Sequence, residues 1–233
     1  MNPKLKFIID EKTDLNNAKW FVKNGQFVDR FLPSELLFVT KKRFSTREKN
    51  KFIAEYTKSY YLASKKEINA GVIKIRKDWI VIQKDYFNLI SKIFPNHPWP
   101  KGKYIGYASI FGMFPRDITD KIFFFPFSTN KRNPLRTIGH EMLHFVFFDY
   151  LKTKYNLKEN SKIKGEKPDY IWRISETFNN VIENWKPYRD IVRSKSKSIP
   201  YYPGHEKMFR AMTKQWQKNQ NVDNFLGCWL KKK

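Results

Sequence analysis

The chain has 233 residues, with 46 Lys and Arg against 22 Asp and Glu, giving a formal charge of +24. Hydrophobic residues at 41% and aromatics at 17% supply a buried core and exclude a disordered basic tail, while the longest apolar run, Ile122 to Phe127, has six residues against the ~20 of a membrane-crossing helix. A single cysteine, Cys228, excludes an intrachain disulfide and a cysteine-based zinc site; Asp10-Glu11-Lys12 interrupts any signal-peptide core, so the expected location is cytoplasmic.

In chain order, Lys4 to Ile9 reads as a short strand and Asp29 to Phe38 as a short helix interrupted at Pro33. Ser45-Thr46-Arg47-Glu48 is a capping-box signature. It opens a helix through Phe52, Tyr56, Tyr60 and Leu62. Val72-Ile73-Lys74-Ile75 reads as a strand, after which Asp78 caps a helix through Ile82, Tyr86, Ile90 and Ile93. Pro95, Pro98 and Pro100 end that helix in a rigid loop containing His97. Tyr104 to Phe111 and Lys121 to Phe127 read as a strand pair, with Pro115-Arg116-Asp117 between them. Asn133 followed by Pro134 starts a helix to about Lys152, apolar on all sides and therefore central and buried.

A polar loop from Lys154 to Asp169 leads to a helix over Tyr170 to Asn184. Arg189 to Ser198 reads as a flexible connector, and His205 to Lys218 as a final helix before a Lys-terminated tail. No repeat is visible. The expected fold class is α+β. Residues 101–233 form the core, with a small sheet and a central helix, and residues 1–100 form a mixed N-terminal segment packed on it.

The charge has a compositional source. Lys outnumbers Arg 35 to 11, in a chain rich in Asn, Ile, Phe and Tyr, the residues of A- and T-rich codons. Arg, the better phosphate fork, is not enriched. Nucleic-acid binding is therefore expected to be weak, sequence-independent and lost as salt rises, with Lys41-Lys42-Arg43 and the Lys231-Lys232-Lys233 tail solvated.

The chemistry concentrates in His140-Glu141-Met142-Leu143-His144. Residues four apart share a helix face, so both imidazoles can reach one metal ion. Glu141 stands beside them, close enough to serve a metal-bound water but too close in sequence to be the third ligand. Chance produces such a pattern in about one chain in 300 of this size and composition. Burying two histidines around a carboxylate would be costly without a metal.

These residues resemble the zincin metallopeptidases. Thr137 three places before the first His, the uncharged Ile138, Met142 and Leu143, and the hydrophobic Phe145 and Val146 all match the extended motif. The resemblance covers residues 134–151 firmly and implies an active-site helix, zinc (Zn2+) and a peptide or protein substrate gripped along an edge strand. It further implies Glu141 as general base toward a zinc-activated water.

The third ligand separates subclasses. Phe147-Phe148-Asp149-Tyr150 lacks the glycine and histidine of the metzincin pattern. The gluzincin pattern takes a glutamate from a following helix, and Glu176, 32 residues beyond His144, stands in such a segment. There Ile174, Phe178, Val181, Ile182 and Trp185 form one stripe, and Glu176, Asn180 and Glu183 the opposite one. Gluzincins often place a supporting acid four residues after the ligand; here that place holds Asn180.

His205 competes for the third position. Gly204-His205-Glu206-Lys207-Met208-Phe209 resembles the late-histidine segment of SprT-like metallopeptidases, although the 61 residues from His144 exceed that family's gap. His205 reads as third ligand, as donor to the oxyanion (with Tyr201 or Tyr202 as substitutes) or as a capping or surface residue. His97 reads as structural, Asp149 as a buried partner for an Arg, and Phe123-Phe124-Phe125 as core. The leading expectation is a zinc metallopeptidase with His140, His144 and Glu176 as ligands and Glu141 and His205 as catalytic residues. The rival is a nucleic-acid-associated SprT-like protease, or a DNA-binding protein with a degenerate zinc site. A purely structural zinc is disfavoured by the lack of cysteine ligands.

Overall fold

The structure is a computed structural model describing residues 2–24, 28–128, 133–196 and 198–230. It is a mixed α+β protein, mostly helical, with one four-stranded sheet among the described residues. The chain divides into two compact units of discontinuous segments: 4–80 with 102–138, and 1–3 with 81–101 and 139–233. A division at residue 100 cuts across both units. Among the described residues no helix is long and apolar enough to cross a membrane.

The first unit carries the sheet. Strands β1 (Leu5–Ile8), β2 (Tyr104–Ser109), β3 (Arg116–Asp117) and β4 (Ile122–Pro126) lie in the order β1-β2-β4-β3. β2 and β4 do pair, but in parallel, with Ile105 opposite Ile122 and Ala108 opposite Phe125. Parallel neighbours need a crossover of about a dozen residues, and the segment between them also supplies β3, antiparallel to β4. Phe123, Phe124 and Phe125 are buried, as a core run should be.

Helix α1 (Glu11–Asn24) has no counterpart in the apolar pattern because two of its inward residues are polar. Asp14 accepts hydrogen bonds from Tyr61, Ser109 and the Ile110 amide, and Asn17 donates to the Met113 carbonyl. The short helix expected around Pro33 is two 3-10 turns, Val28–Arg30 and Ser34–Thr40. Helix α2 (Thr46–Ala63) begins at the Ser45–Glu48 capping box, and Ala18, Val28, Leu36, Val39, Ile53 and Phe111 form this unit's buried cluster.

Val72 to Ile75 is not a strand. It lies inside α3 (Lys65–Ile93), a single helix in which Ile68, Val72, Ile75, Trp79, Ile82 and Tyr86 are buried at alternating spacings of three and four. That period outweighs the β-branched composition. Asp78, expected as a cap, is paired in mid-helix with Lys74 at 2.6 Å. Gly71 fits tightly: a Cβ there would stand 2.3 Å from the Phe127 carbonyl oxygen.

The second unit is helical. Besides the later part of α3 it holds most of α4 (Pro134–Tyr155) and all of α5 (Tyr170–Asn184), α6 (Lys186–Ile191), α7 (Glu206–Lys218) and α8 (Val222–Leu230). Its centre is Phe178, whose ring lies 5.2–5.9 Å from those of Phe147, Phe225, Trp216 and Phe94. Two stretches read as irregular are helical: α6 begins the supposed connector, helped by Pro187 in its first turn, and α8 buries Val222, Phe225 and Leu226. Lys41, Lys42 and Arg43 are exposed. The Lys231–Lys233 tail and residue 197 of the connector lie outside the described residues.

Candidate metal centre

Two helices build the site. Asn133 caps α4, its Oδ1 accepting from the Leu135 and Arg136 amides at 3.0 and 3.3 Å, and Pro134 follows with its φ pre-set for a helix. Seven residues later the helix presents His140, Glu141 and His144, whose ligand atoms lie within 4.8 Å of one another. His144 is fully buried, Glu141 nearly so, and His140 keeps 14% of its side chain exposed.

Helix α5 is buried without interruption from Ile174 to Glu183. The face opposite Phe178 meets the histidines. Glu176 Oε2 stands 3.4 Å from His140 Nε2, and its Oε1 stands 3.3 Å from His144 Nε2. The two Nε2 atoms are 3.1 Å apart. Around a tetrahedral zinc with ligands at about 2.0–2.1 Å, neighbouring donor atoms are about 3.3–3.4 Å apart. Two imidazole nitrogens and a carboxylate at these spacings form a donor set that fits zinc.

Three polar contacts frame His140. Glu183 Oε2 lies 3.4 Å from its Nδ1, Asn179 Nδ2 donates to its carbonyl at 3.0 Å, and Asn180 Nδ2 donates to Glu183 Oε2 at 3.3 Å. Just before it, the Gly139 carbonyl accepts from Tyr86 at 2.7 Å, and a Cβ on Gly139 would stand 2.5 Å from the Tyr188 hydroxyl. Burial pulls the His140 pKa down, but Glu183 and Glu176 outweigh it and hold it well above the ordinary imidazole range.

His205 is buried at the N-terminus of α7, with its ring against Trp172 and Tyr202. Its Nδ1 is 3.1 Å from Thr177 Oγ1. Burial and Arg173 lower its pKa below the ordinary imidazole value, partly opposed by Glu176 and Asp169. The structure thus brings Glu176 to the two motif histidines and ties His205 to the residue after Glu176.

Comparison with protein-family models, with curated proteins and with solved structures gives no match. The site stands on its own geometry.

Asp149 is a correction. It is about one-third exposed and pairs with His97 Nε2 at 3.0 Å, not with an arginine. Proline makes the 95–100 loop stiff enough to hold that histidine against α4. Glu183 lies on the stripe read from the sequence, but nothing in the spacing indicated its contact with His140. The expected supporting position was 180, and a side chain one turn further along the helix reaches the imidazole.

Proposed function

We propose that the protein is a zinc-dependent metallopeptidase of zincin type, with His140, His144 and Glu176 as its ligands. One observation carries the reading: two imidazole Nε2 atoms and the Glu176 carboxylate meet at 3.1–3.4 Å in a buried site. Zinc held there would supply a Lewis acid that polarises a carbonyl and brings the pKa of water to about 7. Glu141 follows His140 on α4, and its carboxylate lies within 4.8 Å of the ligand nitrogens of His140 and His144, so the helix that carries the two histidines also sets its distance from them. Its carboxylate takes the proton of the attacking water and returns it to the leaving amine nitrogen. In this reading His205, held at Nδ1 by the Thr177 hydroxyl, offers Nε2–H to the developing oxyanion.

The test is Glu141→Gln, assayed on an unfolded protein substrate alongside metal analysis. The amide keeps the volume and hydrogen-bonding reach of the carboxylate but accepts no proton. Activity should fall by about 10²–10⁴ with about one zinc per chain retained. Cleavage at the wild-type rate, or a zinc-loaded wild type without cleavage, would overturn the reading.

A further inference from the structure

We infer that Glu183, anchored by Asn180, is the positioning residue that sets His140 as a metal ligand; the inference rests on the zinc-site reading above. An imidazole binds a metal through an unprotonated nitrogen, so its remaining proton must sit on the other one. His140 turns Nε2 toward His144 and Glu176, and Nδ1 toward Glu183 Oε2 at 3.4 Å. A carboxylate at Nδ1 accepts that proton and leaves the Nε2 lone pair aimed at the site.

Glu183 is well placed to hold this orientation. Its side chain is 4% exposed, so water does not screen the pair. Asn180 Nδ2, one turn earlier on α5, bonds the same Oε2 and restricts its rotamer. Asn179 holds the His140 carbonyl, fixing the backbone from which the ring projects. Residues 176, 179, 180 and 183 follow one another at helical spacing, so one rigid element carries both the third ligand and the support of the first. A shift of α5 would move both together.

The alternative is that Glu183 only adds an ion pair to the fold, and zinc affinity separates the two. Full-length wild type, Glu183→Ala, Glu183→Gln and Asn180→Ala are titrated with zinc against a chromophoric chelator, and each metal-free protein is melted thermally. Glu183→Ala should bind zinc about 10- to 100-fold more weakly, the usual effect of removing such a partner. Glu183→Gln, a neutral acceptor of the same size, should fall between, and it serves if the alanine variant does not fold. Asn180→Ala should weaken binding less than Glu183→Ala.

Nitrogen-detected NMR of the zinc-loaded histidines adds a readout that a merely structural role would not move: His140 should carry its proton on Nδ1 in wild type, and that proton should exchange faster in Glu183→Ala. If both Glu183 variants bind zinc within twofold of wild type, or if His140 carries its proton on Nε2, the inference fails. A wild type that takes up no zinc, or takes it up unchanged by His144→Ala, refutes the zinc site itself. Tight wild-type binding lost in His144→Ala but kept in both Glu183 variants refutes only the role of Glu183.

Discussion

In the unit that carries the sheet, Asp14 is buried among the Tyr61 and Ser109 hydroxyls and the Ile110 amide. In the unit that carries the motif, Glu176 and Glu183 are buried against two imidazoles whose Nε2 atoms point at each other. The first carboxylate is surrounded by neutral donors, each aimed at one of its oxygens, and such an arrangement serves to tie α1, α2 and β2 together. The second arrangement crowds lone pairs and carboxylate charge into one small volume. It is balanced by a shared proton or by a cation. Buried acid groups are thus structural where donors enclose them, and point to a ligand where acceptors converge.

The largest expected effect tests the convergent site. Glu176→Ala removes one of three donors and should weaken zinc binding by more than the about 10- to 100-fold that follows loss of an outer partner, measured by chelator competition. His205→Ala should retain zinc. Retained zinc in Glu176→Ala with loss in His205→Ala would reverse the contrast drawn above and make His205 the ligand.

A smaller effect tests the enclosed site. Burial pushes the Asp14 pKa from 3.8 up to about 6, opposed by its bonds to Ser109, Ile110 and Tyr61. Between those values the folded chain binds more protons than the unfolded one. The group therefore adds stability as pH falls from above 6 toward 4, and that contribution is lost as pH rises through 6, by at most about 3 kcal/mol. Urea unfolding of wild type and Asp14→Asn across pH 4–7 isolates it: the difference between the two should slope in this window. A constant difference would mean that Asp14 has the same pKa folded and unfolded.

The smallest effect concerns the backbone entering the motif. Gly139→Ala would place a methyl 2.5 Å from the Tyr188 hydroxyl and 3.1 Å from the Tyr86 ring. Overpacking of this kind should cost about 1–3 kcal/mol in a thermal or urea melt. Tyr188→Phe in the same chain should recover part of it by removing the hydroxyl. A neutral Gly139→Ala would show that α4 shifts freely at this point, and would weaken the case for a rigidly placed His140.

The sequence by itself determined what one helix can express alone. The spacing of His140, Glu141 and His144 is a property of α4, its start is set by Asn133 and Pro134, and the polar and apolar stripes of α5 are read from a period of 3.6. The approximate span of α5, about Tyr170 to Asn184, was legible for the same reason, with Pro187 marking its limit. Tertiary structure decided what depends on two elements meeting. It made Val72 to Ile75 part of one helix because their buried period continues on both sides, and it hid α1 from the apolar pattern by burying Asp14 and Asn17 against distant partners. It also placed Glu176 against the histidines and Glu183 behind His140, since a side chain's reach across a helix pair depends on the packing of α4 on α5. Periodicity encodes which face a residue occupies; only packing decides which atom it meets there.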